Sequence, residues 1–397
     1  MWVKELPDLK VADLRREFKR SYVDQWESLD AAGKRLKEEF LNAVLEAERT
    51  EFLDRKSYER LLEGNRYRNG YWTRYIVLKE GRLQLRMPRV RGGQYKSRVI
   101  ARYQQRTPDV NRALLNIFLY GASTRLTGKA LRPLLGVDVS AQTVSNIAKS
   151  LDAEVKQYHA RPLQDIYLYL FLDGIVLKTR TGFGAKKKTV LAAYGIRVDG
   201  IRELIDFQVV KQESENTWTG FLNRLYGRGL TGEALGLVIT DGSQGLENAV
   251  DLVYAGIKRQ RCWAHKLRNV ADVLKKSQQE QCIKEARAIY SARNRREAIE
   301  AWREWSRDWR KTAPKAVACI EKDMEELLNF YSCPEEIRKK VRTTNVIERS
   351  FREVRRRTRP MSCFNNNESI ERIIYAVMNR LNSQWKNDPL KEFTQKA

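Results

Sequence analysis

The stretch Ile166-Tyr-Leu-Tyr-Leu-Phe-Leu-Asp-Gly174 is an apolar, aromatic run that closes with an aspartate and a glycine. A second run, Leu235-Gly-Leu-Val-Ile-Thr-Asp-Gly242, closes with the same pair. Short apolar runs bounded by turn residues are typical of buried strands. We therefore predict that one strand ends at Asp173 and that another ends at Asp241.

The chain around these two runs alternates between predicted strands and helices. Strands are expected near 165–172, 188–198, 201–210, 235–240 and 257–262, and helices near 214–227, 244–254 and from Ala264. Three antiparallel strands followed by α-β-α-β-α is the order of a ribonuclease H-like fold, a mixed five-stranded sheet with flanking helices. In this order the strands that end at Asp173 and Asp241 are neighbours, so both carboxylates should emerge at one edge of the sheet, where α/β proteins place ligands.

A third acid, Glu348, lies in Thr343-Thr-Asn-Val-Ile-Glu-Arg349 at the head of an arginine-rich helix. Carboxylates that converge from two strand ends and a helix form a hard oxygen site for Mg²⁺ or Mn²⁺. Two such ions, about 3.5–4 Å apart, can catalyse phosphodiester cleavage. Asp173, Asp241 and Glu348 are therefore the predicted catalytic residues and ligands of two metal ions.

Each of these acids also has a simpler interpretation. Either Asp-Gly pair could be an ordinary turn, because both residue types tolerate turn geometry. Glu348 could pair with Arg352 one helical turn later. The arginines around Glu348 weaken that interpretation, because so basic a patch would repel itself unless a polyanion crosses it. The arginines predicted to bind DNA in this helix are Arg352, Arg355, Arg356, Arg357 and Arg359, and Asn345 and Arg349 are expected to support the site.

Composition indicates a folded protein with an anionic partner. The chain has 397 residues, of which 42% are hydrophobic, so it can bury a core in about two or three domains. It carries 75 Lys and Arg against 50 Asp and Glu, a net charge of +25, which favours double-stranded DNA as a partner. No signal-peptide core or membrane-length apolar run is evident, and five scattered cysteines suit a reducing compartment. We expect a soluble cytoplasmic protein associated with the nucleoid rather than with a membrane.

The order of these patterns predicts six regions. They are a helical N-terminal region (1–65), a basic β-hairpin region (66–109), a helix-turn-helix-like region (110–160), the first part of the core (161–276), an all-helical insertion (277–340) and a final region with Glu348 and a C-terminal helix (341–397). Trp302, Trp305 and Trp309 recur on one helical face, which favours the core of the insertion over a base-stacking platform.

Two of these regions have side chains that suit DNA. In the hairpin, Arg82 and Arg86 share one polar face, which could contact the DNA backbone or simply face solvent. The region 110–160 predicts a helix near 123–134, a turn at 137–139 and a second helix capped by Ser140. That second helix could recognise DNA or act as a spacer that packs on the next domain. The side chains expected to face DNA from it are Gln142, Ser145, Asn146 and Lys149.

The two histidines exclude some chemistry and suggest one further motif. With only His159 and His265 in the chain, no Ser-His-Asp or Cys-His arrangement is attractive. His159 is expected at the surface or in a linker. Cys262-Trp-Ala-His265 has the spacing of half a zinc site without a second half, and it leads a basic helix with Lys266 and Arg268. It could therefore border the active site, where those two cations would contact DNA.

Taken together, these motifs resemble the bacterial insertion-sequence transposases of the Mutator superfamily. The likeness rests on Leu172-Asp-Gly174, Ile239-Thr-Asp-Gly-Ser-Gln-Gly245, Gln260-Arg-Cys-Trp-Ala-His-Lys-Leu-Arg-Asn269 and residues 343–349 with the arginine-rich tail, and it runs from about residue 60 to 380. The resemblance implies a DDE catalytic core interrupted by a helical insertion, with Asp173, Asp241 and Glu348 as the triad. It also implies that a dimer pairs two DNA ends.

The function expected from this sequence is DNA transposition. The triad spacings, 241 − 173 = 68 and 348 − 241 = 107 residues, leave room for the insertion before Glu348. The protein is expected to bind the terminal inverted repeats of its mobile element, cleave the element ends and join them to target DNA. Two alternatives stay open: a non-catalytic DNA-binding protein, such as a repressor or domesticated transposase, and a metal-dependent nuclease of the same fold.

Overall fold

The computed structural model describes residues 22–59, 66–181, 184–359 and 363–394. The chain divides into two compact units, one up to Ala148 and one from Lys149 onward. The predicted N-terminal helical region falls in part on residues 1–21 and 60–65, which lie outside the described residues. Across the described ranges, no helix is both long and apolar enough to cross a membrane.

The first unit combines a long helix, a β-hairpin and shorter helices. The bounds of its described elements are α1 Tyr22–Leu53, β1 Tyr67–Leu78, β2 Gly81–Arg91, α2 Pro108–Leu119, α3 Thr124–Ala130, α4 Arg132–Leu135 and α5 Ala141–Ala148. β1 and β2 pair in antiparallel fashion, as the hairpin prediction requires. Strand β2 alternates as expected, because Leu83 and Leu85 are buried while Arg82 and Arg86 are exposed.

The region predicted as a helix-turn-helix differs in detail. The expected single helix over 123–134 is broken at Leu131 into α3 and α4. Pro133, near the start of α4, has no backbone N–H to continue the ladder of the preceding helix. Ser140 caps α5 as predicted, since its hydroxyl accepts the Thr143 N–H at 3.1 Å. A side chain at Gly128 of α3 would overlap the Val139 carbonyl, so this close approach requires glycine.

The second unit is built on a mixed five-stranded sheet. The bounds of its elements up to the insertion are α6 Leu151–Ala160, β3 Tyr167–Thr181, β4 Gly184–Arg197, β5 Arg202–Val210, α7 Glu215–Gly227, β6 Leu237–Thr240, α8 Gln244–Val253, β7 Arg259–Arg261 and α9 Trp263–Asp272. The sheet order is β5-β4-β3-β6-β7, with β3, β4 and β5 antiparallel and with β6 and β7 parallel to β3. The predicted α/β class and five-stranded mixed sheet are confirmed.

One strand boundary was predicted wrongly. β3 does not end at Asp173 but continues to Thr181, and Asp173 and Gly174 pair with Ala192 and Leu191 of β4. The interpretation of this Asp-Gly pair as a turn is therefore wrong as well. The physical reason is the long antiparallel partner β4, which keeps hydrogen-bonding β3 past the glycine. Asp241, in contrast, directly follows the last residue of β6, as predicted.

The remaining helices complete the second unit. Their bounds are α10 Lys276–Ser291, α11 Arg295–Trp309, α12 Pro314–Glu321, α13 Met324–Leu328, a 3₁₀ turn Asn329–Ser332, α14 Glu335–Val341, α15 Asn345–Thr358, α16 Asn367–Trp385 and α17 Lys391–Thr394. The region 277–340 is helical, as expected. Trp305 and Trp309 of α11 are buried and Trp302 is half-buried, so the prediction that they form core is confirmed.

Helices cover both faces of the sheet. On one face, Leu170 and Leu172 of β3 join a buried cluster with residues of α7 and α8. On the opposite face, the Phe171 ring contacts Tyr194, which in turn contacts Trp385 of α16. Helix α15 also packs on β3. Because side chains alternate along a strand, Asp173 shares the face of Phe171.

Candidate active site

Two of the three predicted acids lie at matching positions on neighbouring parallel strands. The pairing of β3 with β6 aligns Phe171 with Ile239. Two residues further along each strand, this register reaches Asp173 and Asp241. The sheet therefore places both aspartates side by side although β3 continues and β6 ends there.

Asp173 is a buried carboxyl group with acidic neighbours. Its exposed fraction is 8%, and its Oδ1 accepts the Gly174 N–H at 2.8 Å. Burial raises the pKa of Asp173 to about 7, against the opposing effect of that hydrogen bond. The nearby negative charges of Asp241, Glu348 and Glu213 raise its pKa further. A carboxyl group in this environment favours either a proton or a cation.

Asp241 is held by a tight turn at the end of β6. Its Oδ1 accepts the Ser243 N–H at 3.0 Å. Gly242 adopts φ 89°, a left-handed conformation, and a side chain there would overlap the guanidinium of Arg261. Arg261 donates to the Gly242 carbonyl and also pairs with Asp323 at 2.6 Å. These contacts fix the turn that carries Asp241.

Glu348, on the first turn of α15, is partly exposed and already has cationic and imidazole partners. Arg268 donates to its Oε1 at 3.2 Å, and His265 Nε2 lies 3.5 Å from the same oxygen. Glu348 is therefore paired with α9 of the core rather than with Arg352. The interpretation of Glu348 as a simple intrahelical partner is wrong.

The three acids are near one another without forming a closed metal cage. Among the described residues, no three His, Cys, Asp or Glu side chains lie close enough to hold a metal ion. Three carboxylates repel one another, and here Glu348 is drawn to Arg268. The donor set nevertheless suits Mg²⁺ or Mn²⁺, because it consists of carboxylate oxygens around a buried Asp173 whose charge is unfavourable without a cation.

A fourth acid, Glu213, was not predicted from the sequence. It follows β5, and its Oε2 would lie 3.2 Å from a Cβ atom placed on Gly174. Trp218 Nε1 donates to its other oxygen at 2.8 Å. Only the unusual position of a glutamate just before the Ser214 cap of α7 could have suggested it.

The Cys-x-x-His motif lies at the same site. Cys262 is fully buried, and its Sγ accepts the backbone N–H of Thr344 at 3.2 Å. Thr344 Oγ1 lies 3.3 Å from His265 Nδ1. Burial and the neighbouring Arg268 lower the pKa of His265. The motif therefore lies beside Glu348, at the border of the site, as the sequence suggested. It also connects α9 to the start of α15.

His159 was assigned wrongly to the surface or a linker. It lies in α6, and its Nδ1 is 2.7 Å from Asp206 Oδ1. Asp206 is 1% exposed and also pairs with Arg228. The aromatic ring of Phe207 packs beside the imidazole. His159 is a structural residue of the second unit.

The predicted DNA-binding cations of the second unit fall into two groups. Lys266 is buried and pairs with Asp323, and Arg357 is buried and pairs with Glu353 at 2.7 Å, so both predictions of a DNA contact are wrong. Their helices turn these two positions towards the core. The sequence pattern alone did not distinguish them from the exposed cations of the same helices. The exposed members are Arg268, Arg352, Arg355, Arg356 and Arg359. Asn345 and Arg349, which were predicted to support the site, are also exposed.

A basic cleft, which the sequence did not reveal, lies beside α15. It has a volume of about 890 Å³ and is lined by α9, α10, α14 and the start of α15. Asn345 and Arg349 line it, as does Arg268. The cleft also gains cations from the insertion and from the segment before α15, namely Arg287, Lys339, Lys340 and Arg342.

Only some of the predicted DNA-facing residues of the first unit are exposed on the expected helix. Gln142 and Asn146 are exposed on α5 but bond to each other at 2.9 Å, and Ser145 is half-buried. The prediction that Lys149 lies on this helix is wrong, because α5 ends at Ala148. The chain turns there before α6 begins.

The hairpin carries its arginines on aromatic rings. Arg82 lies 3.6 Å from the ring centre of Tyr75, and Arg86 lies 4.7 Å from that of Tyr71. Both tyrosines are more than 40% exposed. Stacking of this kind holds guanidinium groups at an exposed surface with their charge still available to an anion.

Comparisons with known proteins agree on one family. The family model described as "Transposase, Mutator family" matches residues 13–388. The transposase for insertion sequence element ISRM5 of Rhizobium meliloti is 33% identical over 87% of this chain and 86% of its own length. The transposase for insertion sequence element IS905 of Lactococcus lactis is 28% identical over 95% of this chain and 96% of its own length. The transposase for insertion sequence element IS256 in transposon Tn4001 of Staphylococcus aureus is 32% identical over 90% of this chain and 91% of its own length.

Proposed function

Because the chain belongs to the Mutator family of transposases, we propose that it is a DDE transposase with a ribonuclease H-like core. In this proposal Asp173, Asp241 and Glu348 hold two Mg²⁺ or Mn²⁺ ions. The bound ions would supply Lewis-acid activation of the attacking oxygen and stabilise the leaving oxygen.

The observation that carries this proposal is the position of Asp173, a buried acid in register with Asp241 of the neighbouring parallel strand. A buried carboxyl group surrounded by three further acids is costly in its charged form unless a cation compensates it. It shares register with Asp241, and it lies in β3, the strand on which α15 with Glu348 packs. A purely structural acid would instead have a basic partner, as buried Asp206 has in Arg228.

The reaction assigned to this site is phosphodiester hydrolysis followed by transesterification. In the first step a water oxygen forms a bond to phosphorus and the P–O3′ bond breaks, which leaves a 3′-OH on the element end and a 5′-phosphate on the flank. In the second step that 3′-OH attacks a target phosphodiester and displaces a target 3′-oxygen. The chain's own task is to orient these oxygens beside the triad.

DNA would reach this site along the exposed cations of the second unit. The cleft beside α15 and the exposed arginines of that helix would offer DNA phosphates a series of cations on and beside the helix of Glu348. Neutralising phosphates there releases counterions and drives binding. The first unit would contact the terminal inverted repeats through α5, as a helix-turn-helix, and through Arg82 and Arg86. The active form would be a homodimer or higher oligomer on DNA, in the cytoplasm at the nucleoid.

The two alternatives predict different behaviour. A non-catalytic DNA-binding protein would not need a buried acid that requires a cation. A plain nuclease of this fold would cut DNA without joining it, and it would not need sequence-specific surfaces in a separate unit. Cleavage and joining measured together distinguish all three.

The test uses purified protein, Mg²⁺ and a duplex that carries the element end. We expect nicking and joining in the wild type, and loss of both in Asp173→Ala, Asp241→Ala and Glu348→Ala while duplex binding survives. Asp251→Ala is the matched control, because Asp251 is an exposed acid of α8 whose carboxylate pairs with Arg259 at 2.7 Å. Normal cleavage by the three triad variants would refute the site, and nicking without joining would support the nuclease.

A further inference from the structure

Thr344, the residue before α15, connects the Cys-x-x-His motif to the helix of Glu348. It is fully buried. Its Oγ1 donates to Cys262 Sγ at 3.3 Å and lies 3.3 Å from His265 Nδ1. Its carbonyl accepts the Glu348 N–H at 3.0 Å, so the same residue begins the helical turn that carries Glu348. A neighbouring backbone bond, from Trp263 N–H to the Arg342 carbonyl at 3.1 Å, fastens α9 to this segment.

The direction of the Thr344–Cys262 hydrogen bond bears on which imidazole nitrogen of His265 carries the proton. A threonine hydroxyl has one proton, and here that proton is donated to Cys262 Sγ. If the Thr344 oxygen in turn accepts from His265, Nδ1 is the nitrogen that carries the proton. In a neutral imidazole the other nitrogen, Nε2, consequently presents a lone pair.

That lone pair faces the catalytic acids. Nε2 lies 3.5 Å from Glu348 Oε1, so two hydrogen-bond acceptors stand next to each other. Such a pair is stable when a group with a positive charge or a donated proton lies between or beside them. Arg268, which donates to the same carboxylate, fulfils part of this role. A reacting hydroxyl or water beside the triad would provide a second donor.

We infer that Thr344 is a positioning residue, which fixes the Nδ1–H form of His265 so that Nε2 accepts a hydrogen bond from the attacking water or 3′-OH beside Glu348. This inference rests on the proposed function, since it assigns the attacking oxygen to that site. Cys262 has a defined part in it, because its sulfur accepts the hydrogen bond of the Thr344 hydroxyl, whose single proton is then not donated to Nδ1. A protein group that orients an imidazole in this way is typical of functional histidines.

The tautomer can be measured directly without any reaction. The chain has two histidines, so ¹⁵N-histidine labelling gives two sets of ring signals, and His159→Gln assigns them. In the full-length wild type we expect His265 to show a protonated Nδ1 and an unprotonated Nε2. Thr344→Val and Cys262→Ala should both shift it towards the Nε2–H form, while Thr344→Ser should retain the wild-type pattern. A wild-type His265 with Nε2–H, or a Thr344→Val variant with an unchanged pattern, would overturn the inference.

Kinetics on the element-end duplex then test the functional consequence. Thr344→Val should lower the cleavage rate constant by roughly 10–100-fold, the usual effect of losing such a partner. The Kd for the duplex should remain unchanged, and Thr344→Ser should restore cleavage to within about threefold. Cleavage by Thr344→Val at the wild-type rate would refute the role even if the tautomer shifts. If Glu348→Ala also cleaves normally, the triad assignment fails, whereas the tautomer measurement keeps its meaning.

Discussion

Asp173 and Glu348 belong to one candidate site but are held in opposite ways. Asp173 is fixed in the middle of a buried strand, 8% exposed, and its charged neighbours are acids. Glu348 is partly exposed on a helix, where Arg268 and His265 contact it. The strand provides a rigid acid whose charge is unbalanced, and the helix provides an acid whose charge is already balanced. A metal ion would therefore be required by the first and would have to compete with Arg268 for the second.

The largest effect is expected from removing the buried charge. Asp173→Asn should lower cleavage by at least about 10³-fold, because a neutral amide is a poor ligand in a site that stabilises the transition state through its metal ions. The same variant should be more stable than the wild type in metal-free buffer at pH 8. The measurements are single-turnover cleavage and thermal unfolding with and without Mg²⁺.

The pH dependence of this stability difference follows from the pKa. A folded-state pKa of about 7 lies above the ordinary aspartate value of 3.8, so the wild type loses stability as pH rises through this interval. The difference from Asp173→Asn should vanish at pH values well below 3.8 and reach its plateau above pH 7, on the order of 4 kcal/mol at most. A difference that is constant with pH would show that the Asp173 carboxyl group is not the cause.

Two cations of α9 offer a matched comparison of burial. Lys266 is buried and paired with Asp323, whereas the Arg268 side chain is 57% exposed. Lys266→Met should lower the free energy of unfolding by roughly 1–3 kcal/mol, because it removes one of the two cationic partners of the buried Asp323 carboxylate, which keeps Arg261. Arg268→Met should change stability by less than about 0.5 kcal/mol, as expected of a surface site. Denaturant unfolding distinguishes them, and equal losses would contradict the assigned environments.

Two neighbouring arginines of α15, one exposed and one buried, should differ in their effect on DNA binding. Arg356 is exposed, and Arg357 is buried against Glu353. Arg356→Gln should reduce the slope of log Kd against log salt by about 1, as expected for one lost phosphate contact. Arg357→Gln should lower the melting temperature and leave the slope unchanged. A salt titration of duplex binding measures both, and a reduced slope for Arg357→Gln would place that residue on the DNA path.

The smallest effect concerns the competition for Glu348. Arg268→Gln removes the cation that donates to the carboxylate at 3.2 Å, so Mn²⁺ should bind a few times more tightly. Duplex affinity should fall slightly, since Arg268 also lines the basic cleft. Calorimetric Mn²⁺ titration gives the first quantity. Weaker Mn²⁺ binding in this variant would mean that Arg268 orders the site rather than competing for it.

Much of the core was predictable because it follows from local patterns. Apolar runs bounded by turn residues predicted the strands, apolar residues at helical spacing predicted the helices, and the ribonuclease H-like order of these elements predicted which strands are neighbours. The position of Asp241 after β6 followed from the turn residues alone. The family match came from motifs that are short and local, such as residues 343–349.

What the sequence could not provide depends on pairing between distant residues. The extension of β3 past Asp173 results from its long partner β4, which a local Asp-Gly signal does not reveal. Lys266 and Arg357 looked like surface cations because their acidic partners, Asp323 among them, are identified only after folding. The contact of Thr344 with Cys262 joins residues 82 positions apart and has no local signature.

The central claim is that Asp173, Asp241 and Glu348 hold two metal ions at one site. Electron paramagnetic resonance of the Mn²⁺-loaded protein on its element-end duplex tests it most directly. Two ions about 3.5–4 Å apart should give an exchange-coupled spectrum, and Glu348→Gln or Asp241→Asn should convert it to the signal of isolated ions. A wild-type spectrum of isolated Mn²⁺ that these variants leave unchanged would contradict the account.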